Sequence, residues 1–201
     1  MDAVLTALRG LPRPESGAPH VSVTACLIRV LADTLVEHPM FNSVWTPDGL
    51  MLVTGVHVGV AIALEDGLIA PALLNCDRLG LLQTATALEG LVSRTRAGRL
   101  RAAELSSATF TLSNLGMFDV SSFTAIIAPP QVGILATARI VQRPVVVEDA
   151  IVVRSVMTTT LSADHRAVDG AQAARFLASF KGRLEGFGSE GSPASRETVR
   201  L

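Results

Sequence analysis

Within residues 155–184 the hydrophobic period switches from two to about 3.6, and this switch constrains the fold more than any other feature of the chain. The run S-V-M-T-T-T-L-S (155–162) reads as a strand, and the apolar-periodic segment 171–184 reads as a helix. Only the turn segment A-D-H-R-A-V-D-G separates them. A strand and a helix joined this closely point to helices packed on a sheet. The turn puts His165 at a strand end, with Asp169 and Gly170 just before the helix.

A histidine at a strand end has its backbone fixed by the sheet while its ring can project into a cleft. Neutral imidazole can take a proton from a thiol or hydroxyl near pH 7. Asp169 can hold the turn, cap the helix or fix a nearby cation, and a plain turn-and-cap reading stands beside these. Upstream, A-T-F-T-L-S-N-L-G (108–116) alternates small or polar with apolar residues and then meets a glycine, so it reads as a strand ending in a turn. Ser113 therefore also sits at a strand end, with a hydroxyl able to donate one hydrogen bond. Taken alone, such a serine reads first as a turn or cap residue.

The two segments together resemble the catalytic domain of the dihydrolipoyl acyltransferases, the core components of 2-oxo acid dehydrogenase complexes. That family shares the CoA-dependent acyltransferase superfamily with chloramphenicol acetyltransferase. Further matches follow in family order: E-H-P-M-F-N (37–42), V-G-V-A-I-A-L-E-D-G-L-I-A-P (58–71), R-A-G-R-L (96–100), F-T-L-S-N-L-G-M-F (110–118), A-P-P-Q-V-G-I-L (128–135) and L-S-A-D-H-R-A-V-D-G (161–170). The resemblance covers roughly residues 20–185. It implies an α+β two-layer sandwich, chloramphenicol acetyltransferase-like, with a mixed sheet covered by helices. It also implies His165 as general base, Ser113 as oxyanion stabiliser and Asp169 as an orienting or structural partner. The implied reaction passes an acyl group between CoA and a lipoyl-type thiol, without an acyl-enzyme. The implied assembly is a homotrimer with each site formed between two subunits.

Departures from the family pattern shape further expectations. Against the family pattern, the chain is expected to lack the basic helix and strand that precede the segment matching Met1 onwards, and the lipoyl and peripheral-subunit-binding domains. An acylated carrier or lipoyl protein is then expected in trans. Residues 187–201 are polar and rich in Gly and Ser, and read as a disordered tail behind a catalytic domain at 1–186. An isolated trimer is expected in place of a large core. Leu74 stands where a basic residue is common in the family, and Asp119 where glycine is common.

Composition narrows the alternatives. With 201 residues the chain suits one domain with a proper core. Net charge is −1 and Tyr is absent, which argues against nucleic-acid binding. Mean hydropathy is +0.43, high for a soluble monomer of this size and in keeping with buried subunit interfaces. No apolar run of about 18 residues and no signal pattern occurs, so a cytoplasmic protein without membrane contact is expected. Cys26 and Cys76 lack CxxC spacing and are expected to stay reduced.

The remaining periodicity gives helices at 2–9, 21–37 and 79–97, the last with Leu81, Leu82, Leu88 and Leu91 against the sheet. A loop is expected at 10–19, a hairpin from 50–54 and 58–64, a further strand at 68–74, and mainly strands over 108–162. His20, His38 and His57 read as structural, His38 by contact with carbonyls at a helix end, and no metal is expected. Glu65-Asp66-Gly67 reads as a turn, and Asp164 as a salt-bridge or turn partner. Arg166 is left open between an acidic cofactor group and a carboxylate across a subunit interface. No cofactor-binding residue is assigned. Two alternatives to the lipoyl-type reaction remain: a stand-alone enzyme acylating a small-molecule hydroxyl, and a catalytically silent structural subunit.

Overall fold

The computed structural model describes residues 1–11 and 19–188; most of the expected 10–19 loop, and residues 189–201 of the expected tail, lie outside them. In chain order the elements are α1 (Asp2–Gly10), α2 (Val23–Glu37), β1 (Ser43–Thr46), β2 (Gly49–Leu52), β3 (Val58–Val60), β4 (Ile62–Leu64), β5 (Gly67–Ile69), β6 (Ala72–Leu73), α3 (Leu81–Arg96), α4 (Ala102–Ser106), β7 (Phe110–Asn114), β8 (Gly133–Val147), β9 (Ala150–Ala163) and α5 (Gly170–Glu185). The main sheet has five strands in the order β6-β3-β7-β8-β9. β3 and β8 run parallel to β7, whereas β6 and β9 are antiparallel to their neighbours, so the sheet is mixed.

Alternation along β7 sorts the sheet into two unlike faces. Phe110 and Leu112, with Leu135 of β8, join the core against α2 and α5. Phe176 of α5 anchors this layer, its ring 4.5 Å from Phe41 and 5.7 Å from Phe110. Thr111 and Ser113 face the other side, in register with Ile134 and Ala136. That second face carries Thr111, Ser113, Ile134 and Ala136, and the segment 115–132 crosses it, with Ser162 Oγ donating to the Ala125 carbonyl. Gly59, opposite Thr111, allows no side chain here: a Cβ would come within 2.8 Å of Thr111 Oγ1.

Local signals account for the helix ends. Ser22 caps α2 by accepting from Ala25 N, and the helix stops at His38 before Pro39. Arg29, nearly buried in α2, donates to the carbonyls of Cys76 and Leu79 and pairs with Asp33, fastening the helix to the turn before α3. Asn42 of the E-H-P-M-F-N motif binds the Val53 and Gly55 carbonyls through Nδ2 and accepts from Thr109 Oγ1 at 2.6 Å. That motif is thus a splice between α2 and the strand leading into Ser113.

Several expectations are corrected. β2 pairs with β1, not with 58–64; the second hairpin is instead β4 with β5 about Glu65 and Asp66. Leu82 is exposed, while Leu88 and Leu91 are buried. Residues 115–132 form no strand beyond a single bridge, Val44 to Gln131. Phe187, counted with the polar tail, is buried and packs in the core. His38 does end α2 as expected, its backbone N–H donating to the Thr34 carbonyl at 2.9 Å, while its ring adds a contact from Nε2 to Ser179 Oγ at 2.8 Å.

Candidate active site

Ser113 is the penultimate residue of β7, and its side chain lines a cavity of about 1360 Å³. One wall is the end of β7; a second is a face of α3 bearing Leu88, Val92 and Arg96; a third is Met117 and Phe118 after the strand. The lining is largely apolar, which suits an acyl chain or the slender arm of a thiol carrier. Ser113 is 9% exposed, yet its hydroxyl has no hydrogen-bond partner among the described residues. A nearly buried hydroxyl left free beside a cavity is a donor awaiting an acceptor.

The turn beyond Ser113 is held firmly. Asn114 Nδ2 donates to Thr24 Oγ1 at 3.1 Å, and its Oδ1 accepts from Gly116 N at 2.9 Å. Leu115 N binds the Thr137 carbonyl. Asp119 adopts a left-handed conformation (φ 59°), as Asp tolerates better than most residues, and pairs with Arg139 of β8. Asn114, Thr24 and Arg139 went unmarked at the level of sequence; only the adjacency of Asn114 to Ser113 was available as a signal.

His165 lies in the turn between β9 and α5 and is exposed. Its ring forms no hydrogen bond among the described residues. Asp164 and Arg166 bracket it: the guanidinium contacts the carboxylate through Nε and through a second nitrogen at 2.6 Å. Arg166 therefore holds the Asp164 carboxyl below the usual carboxylate range, and the carboxylate raises the guanidinium pKa in return. Arg166 also stacks 4.5 Å from the centroid of the Trp45 ring, a partner that sequence reasoning did not foresee. Asp169 caps α5: its carboxylate accepts from Gln172 N at 2.7 Å while Gln172 Oε1 accepts from Asp169 N.

The sheet register shows that Ser113 and His165 do not meet within one chain. Ser113 pairs with Ala136, which pairs with Thr160, and β9 continues past Thr160 to Ala163 before the turn begins. The offset is about 10 Å along the strands and about 10 Å across them. His165 lies outside the cavity that Ser113 lines. Both cysteines are buried, which pushes their thiols up to about 12 and makes them poor nucleophiles at neutral pH. Among the described residues no three His, Cys, Asp or Glu side chains gather to hold a metal, and no helix is long and apolar enough to cross a membrane.

The mixed five-stranded sheet packed with helices is a chloramphenicol acetyltransferase-like α+β fold. Chloramphenicol acetyltransferase itself is 14% identical with a TM-score of 0.56 over 80% of this chain and 77% of that chain, a likeness of fold alone. The chain belongs to the 2-oxoacid dehydrogenases acyltransferase (catalytic domain) family, which matches residues 2–189. It is 38% identical to the dihydrolipoyllysine-residue acetyltransferase component of the pyruvate dehydrogenase complex of Rickettsia bellii, over 82% of this chain and 40% of that protein. A probable dihydrolipoamide acetyltransferase from Listeria monocytogenes superposes with a TM-score of 0.89 at 29% identity, covering 99% of this chain and 83% of that one. The dihydrolipoamide acetyltransferase of Azotobacter vinelandii gives 0.82 at 33% identity, covering 86% and 72%. The chain spans about two fifths of the length of the curated relatives it matches.

Proposed function

We infer that this chain is the catalytic domain of an acyltransferase that moves an acyl group between CoA and a lipoyl-type thiol. His165 is the general base, Ser113 the oxyanion donor, and Asp169 the residue that fixes the start of α5 behind the histidine turn. The observation that carries the reading is the free Ser113 hydroxyl in a largely apolar cavity, within the catalytic-domain family. The Azotobacter acetyltransferase has been studied for the role of a serine, a histidine and an asparagine in its catalytic mechanism, and Ser113, His165 and Asp169 stand at the same intervals along this chain. An aspartate in place of that asparagine is a departure, and here its carboxylate is engaged as a helix cap.

In this reaction the imidazole of His165 removes the proton of the acceptor thiol as its sulfur bonds to the thioester carbonyl carbon. The carbonyl oxygen becomes an oxyanion, and the Ser113 O–H donates to it, stabilising the transition state more than the ground state. The bond to the departing sulfur then breaks, and His165 returns the proton to that thiolate. The separation of Ser113 and His165 within one chain supports a site shared between chains, as in a homotrimer. The similar curated proteins are components of multienzyme complexes, which supports a lipoyl-bearing partner as acyl carrier.

The test is acyl transfer from acetyl-CoA to dihydrolipoamide, with small hydroxylated acceptors in parallel and His165→Ala as control. Transfer to the thiol that disappears in the control is expected. Transfer only to hydroxyls, or a rate unchanged in His165→Ala, would overturn the reading.

A further inference from the structure

We propose that Trp45 is a positioning residue for His165, acting through the Arg166 guanidinium stacked on its indole. This rests on His165 being the base. The His165 ring has no hydrogen bond of its own among the described residues, so its placement depends on the backbone of its turn. That backbone is pinned through Asp164, whose N–H donates to the Val132 carbonyl at 2.8 Å and whose carbonyl accepts from Ala167 N and Val168 N. The Asp164 carboxylate also accepts from the backbone N–H of Arg166 at 3.0 Å.

The exposed member of this arrangement is the Arg166 side chain, 61% accessible. An ion pair so open to water is weak by itself. Trp45 supplies the missing wall, its ring 4.5 Å from the guanidinium carbon. A planar guanidinium laid on an aromatic face loses rotational freedom while keeping its edge for the carboxylate. The Trp45 backbone is itself held by pairing with Leu50 and by donating its main-chain N–H to the Pro130 carbonyl at 2.7 Å. From Pro130 the chain passes to Gln131, which accepts from Thr111 Oγ1 on the serine strand, and to Val132, which accepts from Asp164. The brace therefore closes on itself, and its one side-chain stack lies next to the base.

Trp45 is the sole tryptophan, so its emission reports the stack directly. The experiment uses the assembled protein with Trp45→Leu, Trp45→Phe, Arg166→Met and Trp45→Leu/Arg166→Met, assayed with acetyl-CoA and dihydrolipoamide. Arg166→Met is expected to shift Trp45 fluorescence. Trp45→Leu is expected to lower kcat roughly threefold to tenfold with KM for acetyl-CoA nearly unchanged. Trp45→Phe, which keeps an aromatic face, recovers most of that loss, and the double variant loses no more than Arg166→Met alone. Unchanged emission in Arg166→Met, additive losses, or failure of phenylalanine to rescue would each overturn the proposal. If Trp45→Leu does not fold, the emission of Arg166→Met and the rate of Trp45→Phe decide alone. His165→Ala separates the two claims. If it stays active, the base assignment fails; if it is inactive while Trp45→Leu keeps the wild-type kcat, only the positioning role fails.

Discussion

The end of β7 and the turn after β9 belong to one sheet, yet they are held in opposite ways. Ser113 sits on a central strand flanked by parallel neighbours, with Asn114 tied to α2 and to Gly116 just beyond it. His165 sits past the edge strand, exposed, and is framed by an ion pair and an aromatic stack at the surface. The fold builds the serine position from within. The histidine position is braced from outside and lies apart from its own chain's cavity. Such a division suits a site whose two halves come from different copies, because the buried half supplies the pocket while the exposed half reaches into another.

Substitutions can break this contrast. The largest effect is expected for His165→Ala, a rate loss of about 10²–10⁴. Its melting temperature should hardly move, because the ring has no bonded partner among the described residues. A large loss of stability would instead make His165 a structural residue. Ser113→Ala should cost about 10²–10³ in rate, as removal of one oxyanion donor does. A loss below threefold would leave the cavity without its proposed donor.

Asn114→Ala should separate the two halves further. It removes bonds to Thr24 and Gly116, so it should cost about 1–3 kcal/mol of stability and slow the reaction as well. Denaturant unfolding beside the acyl-transfer assay checks both. A smaller effect is expected from acid at the histidine turn. Bonding to Arg166 lowers the Asp164 pKa in the folded chain, so its contribution is complete above the unfolded carboxylate pKa. It is lost as pH falls through the lowered folded value. The melting-temperature gap between wild type and Asp164→Asn should therefore shrink on acidification in that range; a gap that widens would contradict the sign.

How much of this was legible in the sequence follows the same division. The strand, turn and helix around His165 are contiguous, so their periods could be read directly, and Asp164 as a salt-bridge partner came with them. The β1–β2 pairing was missed because short strands choose partners through the rest of the sheet, not through local pattern. Leu82 belongs to the leucine-rich stretch of α3, yet one position from Leu81 turns a helix by about 100° and puts it in solvent. Phe187 was absorbed into a polar segment whose average composition hid one aromatic side chain that packs in the core. The aromatic partner of Arg166 is not legible, since Trp45 comes to it only through the strand pairing and the Pro130 contact.

The most direct measurement is complementation between two inactive variants. His165→Ala and Ser113→Ala chains are unfolded or dissociated together, mixed in equal amounts and reassembled, and acyl transfer to dihydrolipoamide is then assayed. If each site takes its histidine from one chain and its serine from the next around a ring, about a quarter of the sites regain both residues, and activity returns to about that fraction of wild type. Activity that stays at the level of the separate variants, in a mixture shown to have exchanged chains, would contradict a site divided between subunits.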